Sequence, residues 1–66
     1  MIKAILKNKM MKKEYHFIQE DNKYMIREIC FEGRVVKSDV TCEWDKEAAN
    51  AYYLRLINNK NVERVQ

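Results

Sequence analysis

The side chains of this sequence that could take part in catalysis are one histidine, two cysteines and a run of carboxylates. General acid–base catalysis needs a titratable group held against a partner that tunes its pKa, and no Ser, Cys or Asp stands near His16. We therefore interpret His16 as a structural histidine in a strand, beside aromatic residues. Since the sequence also has no glycine-rich phosphate-binding loop, we expect no enzymatic activity.

The two cysteines are interpreted as small apolar strand residues. Zinc sites use three or four ligands at paired spacings, and Cys30, Cys42 and His16 do not have such spacings. The N-terminus lacks the apolar core and cleavage site of a secretory signal, so the protein is expected in the cytoplasm, where thiols stay reduced. A disulfide is the remaining alternative. The sequence predicts no metal and no cofactor.

Four carboxylates lie close together in the sequence, where a strand pattern gives way to a helix pattern. Asp39 and Glu43 are interpreted as the solvated face of the strand, and Glu47 as an acid near the positive end of the helix. Asp45 is predicted to be the N-cap, with its carboxylate accepting hydrogen bonds from the free amides of the first turn. The cluster therefore has a structural explanation.

These residues are positioned by strands predicted at 14–20, 23–31 and 34–44, joined by two-residue turns at Asp21-Asn22 and Glu32-Gly33. A helix follows, with one apolar face and asparagines suited to a left-handed C-cap after it; the face contains Ala49, Tyr52, Tyr53 and Leu56. Residues 2–7 or 62–65 are expected to add strands. The predicted fold is α+β, an antiparallel three- to four-stranded meander sheet followed by one helix packed on one face.

The charge divides the chain unevenly. Residues 1–13 contain five lysines and no acid, whereas residues 14–66 contain eight basic and ten acidic residues. We therefore distinguish a basic N-terminal segment, 1–13, which is a strand or a flexible tail, from a single β-β-β-α domain, 14–66. A basic amphipathic helix on a membrane is an alternative for the first ten residues, but the segment is short, and no membrane partner is expected.

A single helix covers only one face of the predicted sheet. Two-residue loops would set Val36 opposite Ile29, Val40 opposite Met25 and Lys37 opposite Glu28, so that the helix covers Ile18, Met25, Ile29, Phe31, Val36, Val40, Cys42 and Trp44. The other face is also apolar and, with Leu54 of the helix, forms the candidate interface: Tyr15, Phe17, Tyr24, Ile26 and Leu54. Self-association or chain ends folding back would cover it. A three-residue second loop would exchange the faces.

The stretch from YMIREICFEGRVVKSDVT through DKEAANAYYLRLINNKNVERV resembles a family of short uncharacterised proteins from low-GC Gram-positive bacteria. The matching positions are Tyr24, Ile26, Glu28, Gly33, Asp39 and Val40, and this chain departs from the family at its end, from Glu63 to Gln66. The resemblance implies a hairpin-then-helix fold and a bacterial or phage source. The family has no assigned activity, so the resemblance implies no function.

The function favoured by the sequence is non-enzymatic. It is that of a small regulator or inhibitor that binds another protein and forms a homo-oligomer, encoded by a phage or mobile element and directed, for example, against a host or defence nuclease. The alternative is an oligomeric single-stranded DNA binder that loosely resembles the PC4 coactivator type. Its aromatic platform would comprise Tyr15, Phe17 and Tyr24. Its phosphate contacts would be Lys7, Lys9, Lys12, Lys13, Lys23 and Lys37.

Overall fold

Five strands and one helix make up the computed structural model of the chain, which describes all 66 residues. The elements in chain order are β1 (Ile2–Asn8), β2 (Lys13–Glu20), β3 (Lys23–Glu32), β4 (Val35–Trp44), α1 (Lys46–Ile57) and β5 (Val62–Arg64). The strands form one antiparallel sheet in the order β4-β3-β2-β1-β5. The predicted α+β fold, a meander with one helix packed on it, is confirmed, and α1 is too short to cross a membrane.

The basic N-terminal segment lies inside the sheet. β1 pairs with β2 on one side and with β5 on the other, so of the two alternatives for residues 1–13 the strand is observed. Ala4 and Leu6 point towards the helix and are 4% and 0% exposed. Because these apolar residues alternate with Lys3 and Lys7, β1 contributes to the core while its lysines stay on the surface.

The hairpin formed by β2 and β3 has the predicted register. Ile18 lies opposite Met25, and Asp21 occupies the turn with a φ of 54°. Aspartate tolerates this left-handed conformation better than most residues, because its short side chain hydrogen-bonds locally.

The hairpin formed by β3 and β4 differs from the prediction. Its turn is Gly33-Arg34, where Gly33 has a φ of 63°, and a bulge around Lys37 follows, since Val36 pairs with Phe31 but Ser38 pairs with Cys30. The predicted partners are therefore wrong: Ile29 lies opposite Asp39, Met25 opposite Glu43 and Glu28 opposite Val40. The extra residue shifts the register and turns the side chains of β4 to the other face relative to β3.

The helix consequently covers the face that was expected to remain open. Tyr15, Phe17 and Ile26 are 3%, 8% and 2% exposed and belong to the core, so their assignment to a docking interface is wrong for this chain. Most of the residues expected beneath the helix lie on the opposite face instead, including Ile18, Met25 and Phe31, which are half-buried. Val40, Cys42 and Trp44 do lie on the helix side, opposite Glu28, Ile26 and Tyr24.

The predicted apolar face of α1 is confirmed, and aromatic residues dominate its packing. Tyr52 stacks on Trp44 with ring centroids 5.0 Å apart and meets Tyr15 edge-on at 6.1 Å. Tyr53 meets Phe17 edge-on at 5.4 Å. Ala49, which has a small side chain, is 7% exposed and lets the helix approach the sheet closely.

The helix ends differ from the expected caps. Asp45 is the N-cap, but its carboxylate makes no capping hydrogen bond; its backbone carbonyl accepts from the Ala49 N–H at 2.8 Å. At the other end Asn58 has a φ of −77°, not a left-handed one. The side chain of Asn59 instead accepts the Asn61 N–H at 2.9 Å, which leads the chain into β5.

We predict that Leu6→Ala lowers the free energy of unfolding by about 3 kcal/mol, because it leaves a cavity in a fully buried site. The matched control is Leu54→Ala, the same chemical change at a side chain that is 51% exposed, for which we expect a change within about 0.5 kcal/mol. Urea unfolding followed by circular dichroism measures both. Equal effects at the two leucines would contradict the assignment of β1 to the core.

We also predict that stability falls as the pH rises above about 10, the usual tyrosine pKa. Burial, and then the hydrogen bond that the Tyr52 hydroxyl donates to Glu28 Oε1 at 2.8 Å, raise the pKa of Tyr52, and burial raises the pKa of Tyr15. The stabilisation from a raised pKa is complete below the unfolded pKa. It is lost as the pH rises, because the unfolded chain gives up its protons first.

Tyr52→Phe should therefore show a shallower loss of stability above pH 10 than the parent, in urea unfolding measured from pH 8 to 11. Tyr24→Phe is the control, since the hydroxyl of Tyr24 makes no hydrogen bond within the protein. Parallel pH profiles for the parent and Tyr52→Phe would show that Tyr52 does not carry this dependence.

Candidate nucleic-acid interface

Positive charge is concentrated at one end of the sheet, which we call the turn end. The β1–β2 turn, the β3–β4 turn and the α1–β5 connection all lie there, because neighbouring strands are antiparallel. Seven basic residues and three acidic ones belong to it: Lys7, Lys9, Lys12, Lys13, Arg34, Lys37 and Lys60, with Glu14, Glu32 and Glu63. The rest of the chain has six basic and seven acidic residues, so the turn end accounts for the net positive charge.

A groove of about 600 Å³ opens at the turn end between the two hairpin turns. We call it the basic cleft; its lining comprises Lys7, Asn8, Lys9, Lys12, Lys13, Glu14, Phe31, Gly33 and Arg34. Five of these residues are cationic and one is acidic. Four of the six lysines predicted as nucleic-acid contacts are thus brought together.

Asn8 organises the turn that carries two of these lysines. Its side chain is 4% exposed, and its Oδ1 accepts hydrogen bonds from the backbone N–H groups of Met10 and Met11, each at 3.0 Å. Asparagine commonly stabilises turns in this way, by replacing a backbone acceptor with its side-chain oxygen. The buried amide therefore fixes the shape of the β1–β2 turn.

Two backbone hydrogen bonds attach the same turn to its neighbours. The Lys9 N–H donates to the Asn61 carbonyl at 3.0 Å, and the Phe31 N–H donates to the Lys12 carbonyl at 2.9 Å. The first bond reaches the α1–β5 connection and the second reaches the end of β3. The lysines of the cleft are therefore presented by a fixed backbone.

Lys12 has a φ of 55°, in the left-handed region that favours glycine. For other residues this conformation costs about 1–2 kcal/mol, and such strain is concentrated at functional sites. No hydrogen bond or ion pair to the Lys12 side chain offsets the cost within the chain. Only its backbone carbonyl has a role in the fold, and glycine would supply that carbonyl equally well.

Most cations of the cleft have no acidic partner. Lys9 Nζ lies 3.1 Å from Glu63 Oε2 in an exposed ion pair, and Glu14 Oε1 faces His16 Nε2 at 3.2 Å. Lys7, Lys12, Lys13 and Arg34 form no ion pair. Four like charges around one groove repel one another, and this repulsion is relieved when an anion binds.

Phe31 supplies an aromatic ring among these cations. It is half-buried at the end of β3 and faces away from the helix, opposite Val36. An aromatic ring beside cationic side chains is the combination that single-stranded nucleic acids contact, since bases stack on the ring while phosphates meet the charges.

The other predicted contact residues lie elsewhere. Lys37 is in the bulge of β4 and does not line the cleft, and Lys23 begins β3 at the opposite end of the sheet. The predicted aromatic platform is not available, because Tyr15 and Phe17 are buried beneath α1 and Tyr24 is half-buried. Leu54 is exposed on the helix, apart from the other proposed interface residues.

The side chains whose types could take part in catalysis lie apart from one another. His16 is half-buried on the helix-free face beside Glu14, and both thiols are free, with Cys30 half-buried and Cys42 exposed. Arg27 donates two hydrogen bonds to Asp39, at 2.8 and 2.6 Å, which lower the pKa of that carboxyl and raise the pKa of the guanidinium. This pair neutralises the centre of the helix-free face.

A second cleft, of about 480 Å³, lies between the N-terminal half of α1 and the opposite end of the sheet, and it is mainly apolar. Arg64 at its rim already donates to the carbonyls of Lys3 and Gln66 and to the Tyr53 hydroxyl. Glu47 also lines it. The cations of this cleft are thus partly engaged, in contrast to those of the basic cleft.

Sequence reasoning missed three residues of the basic cleft: Asn8, Phe31 and Arg34. The sequence pattern predicts Arg34 in a strand because the predicted turn, Glu32-Gly33, lies one residue too early; the preference of glycine for the first position of a tight turn includes Arg34 in the turn. The predicted register of the β3–β4 hairpin places Phe31 beneath the helix, and that register is wrong. Asn8 gave one signal, since asparagine is common at the start of turns.

Comparison with known proteins found no matching family model, no matching curated protein and no matching solved structure.

Proposed function

We propose that the protein binds single-stranded nucleic acid, without catalysing a reaction, and that the phosphate backbone occupies the basic cleft. The observation that carries this proposal is the convergence of five cations on one groove, four of them without an acidic partner. Phosphate contacts supply most of the affinity of non-specific nucleic-acid binding, through release of condensed counterions. The fixed backbone of the β1–β2 turn reduces the entropy lost on binding.

A single strand fits this surface better than a duplex. Reading a duplex requires a helix or a β-ribbon that enters the major groove, whereas α1 lies with its aromatic side against the sheet, and the lysines of the cleft come from the β1–β2 turn and the strand ends beside it. Phe31 offers one stacking position, which suits unpaired bases and shows little preference among sequences. We expect weak sequence preference and steep salt dependence.

Protein–protein contact remains the second candidate function, and the observation that favours it is the exposed edge strand β4. Nine of its ten residues are exposed. Regulation or inhibition of another protein would then use strand addition at this edge, in place of the buried residues Tyr15, Phe17 and Ile26. For either function we propose a cytoplasmic location, where the free thiols Cys30 and Cys42 stay reduced.

We predict that the triple variant Lys7→Gln, Lys12→Gln, Lys13→Gln weakens binding to a single-stranded oligonucleotide at least about tenfold in 0.1 M salt. Plots of log K against log salt should become shallower by up to about 2, because each phosphate contact to a single strand contributes about 0.7 to the slope. Fluorescence anisotropy with labelled oligothymidylate and with a labelled duplex measures both quantities.

The matched control for this experiment is Lys3→Gln, Lys23→Gln, Lys46→Gln, which removes the same charge from residues outside the basic cleft. If both triple variants lose affinity equally, binding follows net charge and the cleft is not the site. If the parent protein binds neither a single strand nor a duplex, the proposed function is wrong. A preference for the duplex would contradict the role assigned to Phe31.

We further predict that Lys12→Gly leaves the fold as stable as the parent, or more stable by up to about 1 kcal/mol, while weakening oligonucleotide binding. Glycine relieves the left-handed strain, although part of this gain is offset by its greater entropy when unfolded. Asp21→Gly, at the other positive-φ turn residue, is the control and should not weaken binding. Unchanged affinity in Lys12→Gly would show that Lys12 is not a phosphate contact.

A further inference from the structure

The two edges of the sheet differ greatly in length. β5 forms one edge with three residues, and short edges resist further pairing. β4 forms the other edge with ten residues, of which all but Trp44 are exposed. One side of β4 pairs with β3, so its remaining backbone N–H and C=O groups are available to another strand.

The side chains of β4 protect this edge only in part, since three of its ten residues are charged: Lys37, Asp39 and Glu43. Val35, Val36 and Val40 are 69%, 52% and 54% exposed, and the strand contains no proline. Charged residues and bulges are the usual protection of a sheet edge. Here the bulge lies near one end, around Lys37, and the strand from Ser38 to Trp44 pairs regularly with β3.

The sequence of β4 is complementary to itself in one antiparallel register. When a second β4 is related by a two-fold axis at Val40, Val40 of one copy meets Val40 of the other, and Lys37 of each copy lies opposite Glu43 of the other. Such cross-strand pairs of opposite charge and of β-branched residues stabilise sheets. Ser38 then lies opposite Cys42, which introduces neither bulk nor charge.

Neighbouring registers are less favourable. An axis at Asp39 sets two aspartates against each other, and an axis at Thr41 sets Asp39 against Glu43 twice. Like charges directly opposite are destabilising. An axis at Ser38 pairs fewer residues and uses Asp39, whose oxygens already accept hydrogen bonds from Arg27. The register about Val40 pairs residues 37–43 and leaves the Arg27–Asp39 ion pair intact.

We infer that two copies of this chain associate through β4, antiparallel about Val40, into one continuous ten-stranded sheet. A perpendicular two-fold axis keeps both helices on one face and both helix-free faces on the other. It also sets the two basic clefts at opposite ends of the assembly, because each cleft lies at the Val35 end of its own β4. This inference does not depend on what the basic cleft binds, but a second copy at β4 would occupy the edge that the second candidate function would use.

The first test is sedimentation equilibrium of the parent, Val40→Lys and Leu54→Lys over a concentration series. Val40→Lys sets two like charges at the two-fold axis and should raise the dimer dissociation constant at least about tenfold. Leu54→Lys makes the same kind of change at a similarly exposed residue, 51% against 54%, and should leave the constant unchanged. Circular dichroism verifies that all three chains are folded.

The second test uses charge exchange across the axis. Lys37→Glu and Glu43→Lys should each weaken the dimer, whereas the double variant Lys37→Glu, Glu43→Lys should restore it, because the pair is then reversed. A parent that remains an 8.0 kDa monomer at all concentrations overturns the inference. A dimer that persists unchanged in Val40→Lys, or that the double exchange fails to restore, overturns the β4 register.

Discussion

The structure depends on the contact that Tyr52 makes with the sheet. Its ring stacks on Trp44 of the edge strand and meets Tyr15 of β2 edge-on, while its hydroxyl donates to Glu28 of β3. One side chain of the helix therefore joins three strands. A sheet with a single helix can bury only one face, and this aromatic contact belongs to the face that carries Tyr15, Phe17 and Ile26. The opposite face keeps its mixed polar and apolar character.

Burial of this face also brings the lysines of the basic cleft together. Leu6 and Ala4 complete the core, so β1 is held between β2 and β5. The lysines that appear as an N-terminal tail in the sequence are thereby fixed beside the β3–β4 turn. The basic segment of the sequence therefore lies at the turn end of the sheet, together with Arg34.

The sequence was sufficient to predict the elements whose signal is local. The strand periods, the Asp21-Asn22 hairpin and the helix after Asp45 follow from alternation, turn residues and helical spacing. The register of the β3–β4 hairpin could not be predicted from such local signals, because it depends on a bulge that accommodates Lys37, and bulges have little sequence signature. That one-residue difference reassigned the faces, and with them the candidate interface. The basic cleft was predicted only in part, since its four lysines lie close together in the sequence, at the end of β1, in the β1–β2 turn and at the start of β2, but Phe31 and Arg34 reach it from another hairpin.

The turn end is less stable than the same backbone would allow with other side chains. Lys12 occupies a conformation that glycine adopts without strain, and four cations without an acidic partner line a groove whose one carboxylate is turned towards His16. Both features oppose folding, and neither is compensated by contacts within the chain. Asn8 and two backbone hydrogen bonds hold the turn in place despite this cost. Local rules of stability are commonly broken at functional sites, and these two features therefore support the proposal that the basic cleft binds an anion.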